Sequence, residues 1–295
     1  MQHKGTFNST PRAVSLQLTP RTRFNVATLP SKPVEQSVVL FTAALLRMIQ
    51  RGVYMAQIHI AFAGNIGVGK TEFTQQVLKE PNRSLLLSFL KNEGSIQAFQ
   101  EKIDKRLLRE FYKDKKRWAF TSQMYYFSLR LGTLKRIYDF DGLAVEDRTI
   151  FEDKQVFGDT NYELGHMHEL EYYVYDRTYK EICKSFRPPT LLVYLKINDV
   201  DVLKRRIQKR GRDEEKEIST EYLQKLNDNY DKLFDEYPHH KLAINAETDM
   251  FEHPSYHTTV ICEIAQKLKK IGFVQKADDI PTEQSMLSNG LKFNY

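Results

Sequence analysis

Eight consecutive residues constrain this chain more than any others. Gly64-Asn65-Ile66-Gly67-Val68-Gly69-Lys70-Thr71 fits G-x-x-x-x-G-K-[ST] in full. The apolar run Ile58–Ala63 precedes it, and a helical pattern opens at Lys70. A chain that wraps phosphate oxygens must turn its N–H groups inward, and Gly64, Gly67 and Gly69 permit the angles and the close approach. The helix beginning near Lys70 adds its positive dipole end. Lys70 is then placed to reach β- and γ-phosphates, and the Thr71 hydroxyl to ligate Mg²⁺. A chance glycine turn would lack the flanking strand and helix. The motif by itself implies binding of an NTP with Mg²⁺, which switches and ATPases share.

A length of 295 residues allows one large α/β domain or two small ones. The longest apolar candidate, residues 38–46, is far too short to span a bilayer, so a soluble or at most peripheral protein is expected. The net charge of +6 suggests a polyanion partner until it is located. Residues 1–54 hold seven basic residues and one acid, which leaves 37 of each sign in the remainder. The body is electrically balanced, and neither nucleic acid nor membrane is expected as a partner. Cys183 and Cys262 cannot make a disulfide framework and have no zinc-like spacing. His166, His168, His239 and His240 lack a metal-binding helical spacing and read as loop or surface residues.

Residues 1–34 are rich in Ser, Thr, Pro and Arg and hold no acid, and residues 35–50 could form a short amphipathic helix. Such a segment is either an organelle transit peptide or a plain upstream extension, with Met55 as the start in the second case. The plain extension is favoured, which gives a cytoplasmic expectation with a mitochondrial alternative. The reading divides the chain into a basic extension over 1–54, a catalytic domain over 55–272 and a polar tail over 273–295. Within the domain, strands are expected at Ile58–Ala63 and at residues 95–100, 142–146, 190–197 and 242–245. Helical stretches between them include a long aromatic one over 118–138. This alternation predicts an α/β fold: a parallel sheet with helices on both faces.

Beyond the fourth strand, Arg206 and Arg210 are four apart and share a helix face, and Gly211 can turn Arg212 toward the same place. Three converging guanidiniums suit a transferring phosphoryl group. A solvated, salt-bridged surface is the usual meaning of such a run, but the glycine motif in the same domain favours a lid. On the long helix, Gln123 and Arg130 are seven apart on one face, with Tyr126 and Phe127 between them. Gln offers a nucleobase a paired donor and acceptor, and Arg a fixed fork of donors. Asp147-Arg148-Thr149 falls at the carboxyl end of a strand, where α/β sheets bind ligands, with Asp153 close behind.

Taken together, these elements resemble the deoxynucleoside kinase family, in particular its deoxyadenosine, deoxyguanosine and deoxycytidine kinase branch. The pieces that carry the likeness are the glycine motif, Phe111-Tyr112 with Arg117-Trp118-Ala119-Phe120 and Gln123, Asp147-Arg148-Thr149, and Arg206 through Glu215. The resemblance implies a P-loop kinase fold with a five-stranded parallel sheet, a closing lid and a helical dimer interface. It implies ATP or another NTP as donor, Mg²⁺, and a deoxynucleoside as acceptor. Gln123 would pair with the base, and Arg130 with Asp153 would read its exocyclic groups. Tyr112 and Glu215 would hold the 3′-hydroxyl. Arg148 would contact phosphate, Asp147 would help with Mg²⁺, and Arg206, Arg210 and Arg212 would form the lid.

One piece departs from the family pattern. The Glu-Pro-Val-like turn after the second strand, whose Glu takes the 5′-hydroxyl proton, is missing. Glu101 stands nearest its position, and Glu93 is the runner-up if the second strand lies earlier. Two other functions compete with the leading one: a nucleoside monophosphate kinase, and a kinase-like subunit of an assembly that has lost its chemistry.

Overall fold

The computed structural model describes residues 58–90, 94–216, 218–247 and 255–273. The expected extension over 1–54, Met55, Glu93 and the tail beyond residue 273 lie outside the described residues.

Strands β1 (Ile58–Ala63), β2 (Ser95–Phe99), β3 (Gly142–Asp147), β4 (Leu191–Lys196) and β5 (Lys241–Asn245) form one sheet. All pairings are parallel, in the order β2-β3-β1-β4-β5. Parallel neighbours need long crossovers, and helices supply them. In chain order these are α1 (Lys70–Gln76), α2 (Asn82–Leu87), α3 (Lys105–Lys113) and α4 (Lys115–Tyr138). After β3 come α5 (Ile150–Glu152), a π-helical turn (Asp153–Gly158), α6 (Asp159–Glu163) and α7 (Glu169–Cys183). Then follow α8 (Val200–Arg210), a short 3₁₀ turn (Asp213–Glu215), α9 (Thr220–Glu236) and α10 (Tyr256–Lys270).

The central strands β1 and β3 are buried at every position, so neither alternates, and their polar His59 and Glu146 pair with each other at 3.0 Å. Edge strands β2 and β5 are partly exposed. Tyr194 pairs in register with Ala63, so it points to the opposite face from Phe62. Phe62 stacks on Phe73 of α1 at 5.7 Å, and Tyr194 stacks on Tyr230 of α9 at 5.9 Å. Both faces are therefore covered by helices, and each buried ring contributes about 1.5–3 kcal/mol.

The element ends differ slightly from expectation. The long helix starts three residues before Trp118, because Asp114 caps it by accepting from the Arg117 N–H at 3.0 Å. β3 runs on through Asp147, whose pairing with Phe62 extends the ladder. No helix among the described residues is long and apolar enough to cross a membrane.

This topology gathers the site along one edge. Residues 64–69 leave the carboxyl end of β1, Glu101 follows β2, and Asp147 ends β3. The Arg148 N–H donates to the Phe62 carbonyl at 3.1 Å, so the Asp-Arg pair abuts the start of the glycine turn.

Candidate active site

Two glycines of the turn have no substitute. Gly64 has φ 148°, and a Cβ there would lie 2.8 Å from the Leu195 carbonyl. Gly67 has φ 84°, and its Cβ would lie 2.8 Å from Ile207 Cγ1 on α8. The loop is thus pressed between β4 and α8, the helix that carries Arg206 and Arg210. Lys70 folds back over the turn, donating to the carbonyls of Gly64 at 2.6 Å and Asn65 at 3.1 Å. Burial and the nearby Arg148 guanidinium bring its ammonium down to about 8. The Asn65 side chain donates to the Leu223 carbonyl at 2.9 Å and so ties the turn to α9. Val68 is buried in the core, and Ile66 and Gly69 line the cavity beside the turn.

The Thr71 hydroxyl donates to Asp147 Oδ2 at 2.6 Å. Asp147 Oδ1 is buried and has no partner, and burial raises this carboxyl. A hydroxyl beside a carboxylate with an unfilled oxygen is a donor set that suits a hard cation such as Mg²⁺.

Next to this pair sit four charged groups. Glu101 Oε1 accepts from Arg130 Nη2 at 3.1 Å and lies 3.2 Å from Arg148 Nη1. Burial pushes the Glu101 carboxyl up, but Arg148, Arg130 and Lys70 outweigh it and hold it at about 2. Arg130 Nε also donates to Asp153 Oδ1. Burial raises Asp153 to about 7 against the pull of Arg130, and Asp153 Oδ2 has no partner. Asp153 opens the π-helical turn, a wider coil that recurs at functional sites. Arg148 has φ 71°, a left-handed conformation that costs a non-glycine residue roughly 1–3 kcal/mol. Its N–H bond to Phe62, its ion pair with Glu101 and its guanidinium lying 4.3 Å from the Phe157 ring centre hold it there. Asp104 caps α3, accepting from the N–H groups of Arg106 at 2.9 Å and Leu107 at 3.2 Å, which fixes the chain just after Glu101.

Arg206, Arg210 and Arg212 each have partners within the protein. Arg210 donates to Glu215 Oε2 and Arg212 to Oε1 at 3.2 Å. Glu215 is only 4% exposed, and a buried carboxylate needs such partners. Arg206 turns toward the carbonyls of Ala246 at 2.8 Å and Glu247 at 3.2 Å, beside the glycine turn. All three arginines nevertheless line one cavity of about 680 Å³ with Lys70, Thr71, Glu101, Asp147 and Arg148. Tyr112, Gln123, Arg130, Asp153 and Glu215 line the same cavity. Phe127, which lies between Gln123 and Arg130 along the chain, packs on Tyr175 and Tyr179. Sequence reasoning missed Ser122 as a lining residue and gave Tyr126 no role, although their spacing of four from each other and from Arg130 marks a single helix face.

A five-stranded parallel sheet with a phosphate turn after β1, an Asp-Arg pair closing β3 and an arginine helix after β4 defines a P-loop kinase. The sequence pattern of the deoxynucleoside kinase family matches residues 60–269, and the chain belongs to that family. It is accordingly a phosphotransferase with a hydroxyl group as acceptor. The deoxyadenosine kinase of Dictyostelium discoideum is 30% identical over 211 residues, covering 72% of this chain and 78% of that one. The deoxyadenosine/deoxycytidine kinase of Bacillus subtilis is 29% identical over 174 residues, 58% of this chain and 74% of that one. A solved structure of deoxyadenosine kinase from M. mycoides with bound dATP superposes with a TM-score of 0.59 at 26% identity, over 72% of this chain and 100% of that one.

Proposed function

We propose that the protein transfers the γ-phosphoryl group of ATP or another NTP to the 5′-hydroxyl of a purine deoxynucleoside or deoxycytidine, in nucleotide salvage. The observation that carries this reading is the shared cavity. The glycine turn with Lys70 lines it together with Gln123, Arg130, Asp153, Glu101 and Arg148. Relatives named for deoxyadenosine and deoxycytidine support the acceptor class.

In this reading residues 64–71 hold the triphosphate, and Thr71 and Asp147 hold Mg²⁺, which would neutralise phosphate charge. Gln123 meets the base, Arg130 with Asp153 reads its exocyclic groups, and Tyr112 and Glu215 take the 3′-hydroxyl. Glu101 orients the 5′-hydroxyl and accepts its proton. Arg148, Arg206, Arg210 and Arg212 meet the charge that develops on the transferring group. A homodimer belongs to the same proposal; α7 leaves Leu170, Tyr173 and Val174 exposed, an apolar face that such a contact would cover.

Deoxyadenosine, deoxyguanosine, deoxycytidine and thymidine, compared with dAMP in a coupled assay, test the proposal. Turnover of at least one of the first three is expected. Turnover of dAMP alone would make it a monophosphate kinase, and turnover of thymidine alone would reject the role given to Arg130 and Asp153.

A further inference from the structure

The second position of the glycine motif, which the motif leaves open, holds a buried side chain with partners for both ends of its amide. Asn65 is 2% exposed. Its Oδ1 accepts from the Ile66 N–H at 2.8 Å, and its Nδ2 donates to the Leu223 carbonyl and, at 3.3 Å, to Asn227 Oδ1. Asn227 lies on α9, is 4% exposed, and donates from Nδ2 to the Ile197 carbonyl at 2.7 Å. Ile197 follows the last residue of β4. The relay therefore runs from the turn after β1, through α9, to the carboxyl end of the neighbouring strand β4. Inside the turn, the Asn65 carbonyl accepts from the Val68 N–H at 3.3 Å. Buried amides anchor firmly, because each bond left unmade strands a desolvated polar group.

Asn229, two residues further along α9, provides the contrast. It is 6% exposed, and its Nδ2 donates to Thr160 Oγ1 at 2.9 Å and Glu163 Oε2 at 3.3 Å. Two residues rotate a helical side chain by about 200°, so α9 sends one asparagine to the glycine turn and the other to α6. We propose that Asn227 is a positioning residue for the phosphate donor, holding Asn65, and with it the backbone of the glycine turn, in the shape that receives a triphosphate. This rests on the reading of that turn as the donor site. Hydrogen bonds from N–H groups weaken steeply with angle, and a turn shaped before binding spends less of its binding energy on ordering. Gln123 and Arg130 belong to α4 and stand outside the relay. Loss of Asn227 thus weakens the hold on ATP and spares the nucleoside.

The test compares wild type, Asn227→Ala and Asn229→Ala, with thermal melting to match the stability each loses. Steady-state kinetics, with the best of deoxyadenosine, deoxyguanosine and deoxycytidine as acceptor, give KM for ATP and for the nucleoside. Calorimetry gives Kd for the β,γ-imido analogue of ATP with Mg²⁺. Asn227→Ala is expected to raise both ATP constants about five- to tenfold and to leave the nucleoside KM within about twofold. Asn229→Ala, at a comparable fall in melting temperature, is expected to leave the ATP constants within about twofold of wild type. Asn227→Asp keeps the volume and the oxygen that meets Asn65 but loses the amide donor to Ile197, so it shifts the ATP constants the same way by a smaller factor. It carries the test if the alanine variant does not fold. ATP constants unchanged in the Asn227 variants, or raised equally by Asn229→Ala, overturn the proposal and leave the kinase reading intact. A wild-type protein that binds neither ATP nor its analogue removes the donor reading and the proposal with it.

Discussion

Arg148 Nη1 lies 3.2 Å from Glu101 Oε1, and the two groups come from the carboxyl ends of neighbouring strands, β3 and β2. The same oxygen accepts from Arg130 at 3.1 Å, so one carboxylate joins two buried guanidiniums. Held at about 2, Glu101 is ionised throughout the neutral range. A weak base is sufficient where the transition state is loose, because the hydroxyl proton need not leave early. In the proposed reaction Glu101 holds the attacking oxygen in line and takes its proton late.

Glu101→Gln keeps the shape but removes the proton acceptor. The account predicts a fall in kcat of about 10²–10⁴ with only a small change in nucleoside KM. Rapid-quench or coupled kinetics read both quantities. Retention of kcat within about threefold would exclude Glu101 as the base.

Two groups shape the pH dependence. Asp153 sits at about 7, so below that value it loses its charge and carries an O–H that competes with an exocyclic amine. Lys70 sits at about 8 and loses its charge above it, weakening its hold on phosphate. The kcat/KM for deoxyadenosine should fall on the acid side near pH 7, and that for ATP on the basic side near pH 8, each over about one unit. Profiles flat from about pH 5.5 to about pH 9.5 would contradict both assignments.

Glu215 binds Arg210 and Arg212 and, in the proposed complex, the sugar 3′-hydroxyl. Removing either the carboxylate or the hydroxyl should therefore disturb the same contact. Glu215→Gln with a deoxynucleoside and wild type with a 2′,3′-dideoxynucleoside should each lose activity, and the combination should lose little more. Additive losses in this double cycle would separate Glu215 from the sugar.

Stability offers a check independent of activity. Tyr230 Oη donates to Glu152 Oε2 at 2.6 Å, and the Thr149 N–H donates to the other oxygen at 2.7 Å. Both Tyr230 and Glu152 are buried, and burial raises the Glu152 carboxyl. Tyr230→Phe should destabilise the protein by about 1–3 kcal/mol in denaturant unfolding, since it strips a partner from a buried carboxyl. A change below about 0.3 kcal/mol would mean that water replaces the phenol.

Much of the fold was legible because its signals are local. β1 and β4 read as apolar runs, and the Gly64–Thr71 spacing demanded a strand before and a helix after. The α4 wall of the cavity was half legible. Gln123 and Arg130 stood out by type, while Ser122 and Tyr126 passed as ordinary helix residues, since an unpaired hydroxyl is visible only in three dimensions. The strand order and the left-handed Arg148 depend on long-range contacts, with β1 pairing β3 across some eighty residues. The Arg210–Glu215 clasp escaped notice for a different reason. Both residues read as ligand contacts, and the sequence carries no statement of how such groups pair with one another in the fold.

The most direct test of the account is a single-turnover transfer from γ-³²P-labelled ATP to deoxyadenosine, with products separated by chromatography. The account predicts label in the 5′-monophosphate of the nucleoside, lost in Glu101→Gln. Label appearing only as inorganic phosphate, or reaching dAMP but never deoxyadenosine, deoxyguanosine or deoxycytidine, would contradict it.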